Sequence, residues 1–96
     1  MAYSLPLAKK VAKAGWKVKI QDKESRESPH VTIWFKGRHK WRINLRNGTF
    51  MDEGSRKEID EEVREAVEAN WQLLRAEWDR MYGDVNPISS EDPGDV

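Results

Sequence analysis

The 96-residue chain has no cysteine, which rules out a disulfide, a thiolate nucleophile and a cysteine-based metal site. Histidine is almost as scarce: His30 and His39 are the only two. A protein metal site takes three or four ligands, and no third stands near them in the pattern, so neither a metal nor a cofactor is expected. Long apolar runs are missing as well. None exceeds three residues, the length of Ile33-Trp34-Phe35, against the roughly 20 residues a membrane-spanning helix needs, so no membrane partner is expected. No phosphate-cradling Gly-rich loop, nucleophile elbow or paired-acid motif occurs. The opening Met1–Pro6 carries no charged region followed by an apolar one, as a secretory signal would. These absences point to a soluble, cytoplasmic protein.

What the chain does have is charge, sorted along its length. Residues 1–50 hold 12 Lys/Arg and 3 Asp/Glu, a net of +9, whereas residues 51–96 hold 5 Lys/Arg and 14 Asp/Glu, a net of −9. The formal total of zero therefore hides a dipolar molecule with room for a local positive surface. Five Trp, two Tyr and two Phe supply the large buried area that a domain this small needs.

The order of elements follows from periodicity. Ser4 and Pro6 mark the start of a short helix that Gly15 stops, with Leu7, Val11 and Ala14 on one face. Trp16–Ile20 alternates as a strand. Residues 21–28 are all polar and read as a mobile loop. His30–Lys36 and Lys40–Arg46 form two further strands around a basic Gly37 turn, and Asn47-Gly48 folds Thr49–Met51 back as a short fourth strand. Ser55-Arg56-Lys57-Glu58 has the form of a capping box. It opens a helix to Gly83, about 42 Å long at 1.5 Å per residue. The expected fold is α+β: a helix, three or four antiparallel strands and a long C-terminal helix, with both helices on one face. Residues 1–83 form the single domain, and residues 84–96 a disordered acidic tail.

Alternation gives the sheet two unlike sides. Trp16, Val18, Ile20, Val31, Ile33, Phe35, Trp41, Ile43 and Leu45 share the side that the helices cover. The outer side collects Lys17, Lys19, His30, Thr32, Trp34, Lys36, Lys40, Arg42, Asn44 and Arg46, with Arg38 in the turn. A hairpin centred on Arg38 sets Phe35 opposite Trp41, Ile33 opposite Ile43, His30 opposite Arg46, and Trp34 opposite Arg42 for a cation–π pair. Trp34 among Lys17, Lys19, Lys36, Arg38, Lys40, Arg42 and Arg46 can stack a base while the cations hold phosphates. Such a face also suits an acidic partner protein, or serves simply to stay solvated. His30 or His39 beside these cations is a candidate general base for metal-free RNA cleavage. On the second helix, Trp71, Trp78 and Tyr82 share a flank displaced from the Ile59/Val63/Ala66 stripe. They pack either on the first helix or on a partner protein, which leaves a homodimer open.

Pro29-His30-Val31 on a strand, the Asn47-Gly48 turn, and Trp78 followed by Tyr82-Gly83 at the end of a long helix together resemble a small bacterial family. That family is known only as a domain of unknown function, and its strand motif is of the Pro-His-x-His-Val type. The resemblance runs from Pro29 to Gly83, with Thr32 where the family has its second histidine. It implies a partner protein, antitoxin-like, because such genes often lie in two-gene arrangements of toxin–antitoxin type. The helix–sheet–helix order, with Gly15-Trp16 and Gly37-Arg38-His39, is more distantly similar to HicA-type mRNA-cleaving toxins. The functional expectation is a toxin–antitoxin or defence-type binding module that engages nucleic acid, or an acidic partner imitating it, through the basic sheet face. The alternatives are a metal-independent ribonuclease using His30 or His39, and an interaction module working through the C-terminal helix.

Overall fold

In a computed structural model, which describes residues 2–21, 26–52 and 56–88, the strands form one antiparallel meander. Its order is β1 (Tyr3–Ser4), β2 (Trp16–Ile20), β3 (His30–Phe35) and β4 (His39–Asn44). Helix α1 (Lys9–Ala14) lies between β1 and β2, while α2 (Glu61–Ala69) and α3 (Trp71–Tyr82) follow the sheet. The class is α+β, as the alternation and periodicity require.

The apolar side is the one read from the sequence. Trp16, Val18, Ile20, Val31, Ile33, Trp41, Ile43 and Leu45 are buried there, in one core with Val11 of α1, Val63 and Val67 of α2, and Leu74 and Trp78 of α3. At 1.5–3 kcal/mol for each large apolar side chain removed from water, this core is the main source of stability. Trp16 anchors its hairpin end, with its ring centroid 4.5 Å from Phe35 and 5.8 Å from Trp41. The Trp41 indole donates to Glu58 Oε1 (3.0 Å) and so keeps its polar atom satisfied. Lys10 Nζ lies 2.5 Å from Glu62 Oε1, which ties α1 to α2.

Four features differ from the sequence expectation. Ser4 caps no helix: it lies in β1, and Leu5 donates its N–H to the Val18 carbonyl. The chain thus gains its edge strand before α1, while Thr49–Met51 is held to β4 only by an isolated Ile43–Phe50 bridge and two backbone bonds. Second, the long C-terminal helix is two helices. Asn70, at φ −111° and ψ 21°, ends α2 and begins α3, and its side-chain amide donates to the Ala66 carbonyl. Asparagine competes for helical backbone groups in this way. The resulting turn brings Leu74, Trp78 and Tyr82 back onto the core. Third, α2 begins after Asp60, whose carboxylate accepts from the Glu62 N–H, and Arg56–Glu58 is a separate 3-10 turn. Ser55 of the expected capping box lies outside the described residues. Fourth, the domain does not stop at Gly83. Ile88 is buried, its N–H bonds Asp79 Oδ1, and the Trp78 indole donates to the Asn86 carbonyl. Residues 22–25 of the expected mobile loop and 89–96 of the expected tail lie outside the described residues.

Candidate nucleic-acid interface

The β3–β4 connection determines which side chains meet on the outer face. Lys36 and Gly37 both take positive φ, 55° and 69°, the left-handed pair whose twist suits tight hairpins. The loop therefore closes in three residues, with Phe35 opposite His39. Ile33 pairs with Trp41, Val31 with Ile43, Trp34 with Lys40, Thr32 with Arg42 and His30 with Asn44. The expected register is displaced by two residues. A two-residue slip preserves the side on which each residue lies, so the core is unaffected while every outer-face neighbour changes.

At the hairpin end, Trp34 sits half-buried between Lys17 of β2 and Lys40 of β4. Lys40 Nζ is 5.5 Å from its ring centroid, so the cation–π partner is Lys40 rather than Arg42. Lys36, whose Nζ is 5.2 Å from the Phe35 centroid, and Arg38 project from the turn, both exposed. Gly15 fixes this turn from below. Its carbonyl accepts from the Lys36 N–H, and a Cβ at Gly15 would come 2.8 Å from Lys36 Cγ. Among the described residues, no carboxylate lies within ion-pair distance of Lys17, Lys19, Lys36, Arg38 or Lys40.

The other end of the same face is neutralised. Arg42 donates from Nε and Nη2 to both oxygens of Asp52, and from Nη1 to Glu27 Oε1, each at 2.8 Å. These hydrogen bonds hold the Asp52 carboxyl below the usual carboxylate range and raise the Arg42 guanidinium further above its own. Arg46 donates through Nη2 to the Pro87 carbonyl (3.0 Å) and to Asn86 Oδ1 (3.4 Å). His30, expected on the open face, is fully buried. Its Nδ1 donates to the Ser28 carbonyl (2.8 Å), its Nε2 lies 3.9 Å from Glu27, and its ring packs 5.7 Å from Trp78. Thr32 is buried with it. A histidine covered in this way has no path to an RNA phosphate, which removes His30 as a base. His39 remains exposed, 6.5 Å from Phe35 and 6.4 Å from Trp41 between ring centroids.

The aromatic flank of the C-terminal helices also turns inward. Trp78 and Tyr82 pack with ring centroids 4.3 Å apart and planes tilted by 46°, both buried, and the Tyr82 hydroxyl donates to the Gln21 carbonyl. They are core residues, not a docking surface, and only Trp71 stays half-buried. Among the described residues, no group of three or more His, Asp or Glu could hold a metal, and no helix is long and apolar enough to cross a membrane. No protein family, curated protein or solved structure matches the chain.

Proposed function

We propose that the hairpin end of the outer sheet face binds single-stranded nucleic acid. The observation that supports this reading is the row Lys17–Trp34–Lys40 across three strands, with Lys36 and Arg38 exposed at its end. An aromatic face flanked by cations stacks a base while the cations meet its phosphates. Lys17 and Lys40 stand about 4.8 Å to either side of Trp34, the spacing of neighbouring strands. A duplex hides its base faces and would meet only the charge, so single strands gain the stacking contribution. An acidic protein that imitates nucleic acid, as an antitoxin-like partner would, meets the same cations but has no base to stack.

Binding of a fluorescent 10-mer of dT or rU, measured from 50 to 300 mM salt, tests the proposal. With four or five phosphates neutralised, log K falls against log salt with a slope of about −3, at about −0.7 per phosphate. Trp34 emission is quenched as the base stacks. A slope near zero, or equal affinity for a duplex of the same length, would overturn it.

A further inference from the structure

On the opposite side of the sheet lies a half-open cavity of about 300 Å³, lined by residues of the apolar face and of α2. Ile33 and Ile43 form its floor, Phe50, Val67 and Trp71 its walls, and Arg64 and Glu68 also line it. The volume is at the lower end of what small-molecule sites use, and the composition is theirs: mostly apolar, with a few polar groups that fix orientation. Arg64 is half-buried. Its Nε donates to the Ile59 carbonyl at 3.1 Å, which anchors the guanidinium. Among the described residues no carboxylate pairs with it, so its two terminal nitrogens remain available as a donor fork.

We infer that this cavity binds a small flat aromatic monocarboxylate, with its rings between Phe50 and Trp71 and its carboxylate on the terminal nitrogens of Arg64. A planar fork of two N–H groups matches a carboxylate bidentately. The apolar floor has no partner for a polar body, so the rest of the ligand is hydrocarbon. One or two fused rings fit the volume. The site is independent of the basic face, because the ligand enters on the other side of the sheet.

The test is titration of the isotopically labelled full chain with 2-naphthoate and with its neutral isostere 2-naphthamide, followed by amide and methyl chemical shifts. Naphthoate is expected to bind at least tenfold more tightly than the amide, with shifts centred on Ile33, Ile43 and Val67. Arg64→Gln should abolish the tenfold difference, and Arg64→Lys should restore part of it. Ile43→Phe, which fills the floor, should weaken both ligands. Should that variant fail to fold, the Arg64→Gln comparison and the shift map decide alone. Equal binding of acid and amide would overturn the inference and mark a slot for an apolar side chain of a partner protein. Shifts confined to Lys17, Trp34 and Lys40, and lost in Trp34→Ala, would overturn it too, because the ligand would then be stacking on the basic face.

Discussion

The two ends of the outer sheet face carry similar numbers of cations, Lys17, Lys36, Arg38 and Lys40 at one and Lys19, Arg42 and Arg46 at the other, and differ in how many are available. Toward the hairpin, Lys17, Lys36, Arg38 and Lys40 stand around a half-buried tryptophan, with no carboxylate within ion-pair distance among the described residues. Toward the loop end, Arg42 is gripped by Asp52 and Glu27, Arg46 is spent on the Pro87 carbonyl and Asn86, and His30 lies beneath Trp78. Counting Lys and Arg along the strands treats the two ends as one patch. The contacts separate them into a surface that can act on another molecule and one that holds its own chain together.

The comparison is broken most forcefully at the loop end. Trp78→Ala is expected to cost about 3–5 kcal/mol, the usual range for emptying a buried aromatic site. It also removes the lid over His30 and the anchor of residues 86–88. Urea denaturation should show a large fall in midpoint, and the His30 ring should become accessible to solvent. A small shift would mean that this end is held by something other than the tryptophan.

Trp34→Ala acts in the opposite sense. It should weaken single-strand binding by about 1–3 kcal/mol, the contribution of one base–aromatic stack, while the urea midpoint moves little. If affinity is unchanged, the half-buried indole is not a platform.

Charge sharpens the contrast further. Removing Lys40 should reduce the magnitude of the salt slope by about 0.7. Arg42→Ala should leave the slope as it is and instead lower stability by about 1 kcal/mol, since the pair is partly solvated and screened. The reverse pattern, a smaller slope for Arg42→Ala and an unchanged one for Lys40→Ala, would exchange the two ends.

The smallest effect concerns acid. Asp52 has a folded pKa below its unfolded value, near 3.9. Its contribution is therefore fully present above that value and lost as pH falls through the lowered folded pKa. Asp52→Asn should be slightly less stable at neutral pH, and its stability should fall less steeply than that of the wild type below pH 4. A stability difference that is the same at pH 3 and pH 7 would show that the Asp52 ion pair contributes nothing.

Much of this was legible in the chain. Period-two alternation placed every inward residue of β2, β3 and β4 correctly, because the core accepts only one parity. The register was not legible, since parity is blind to a slip of two. It depends on Lys36 adopting a left-handed backbone, which nothing in a lysine announces. Strand β1 was missed because two residues are too few for a period. The burial of His30 and Thr32 comes from groups distant in sequence, Trp78 among them, that no local pattern links to β3. Asn70 did leave a signal, because it falls where the apolar stripe of a straight helix would have continued. That interruption marked a bend in the helix rather than an outside partner.

The Lys36–Gly37 turn has one more consequence. Because it decides which residue of β4 stands beside Trp34, a turn lengthened from three residues to five over the same sequence, taking in His39 and Lys40, would set Arg42 next to the indole and pull it away from Asp52. The buried side would stay apolar. A family of such proteins could thus exchange a structural arginine for a ligand-facing one by lengthening a surface loop, leaving the interior untouched.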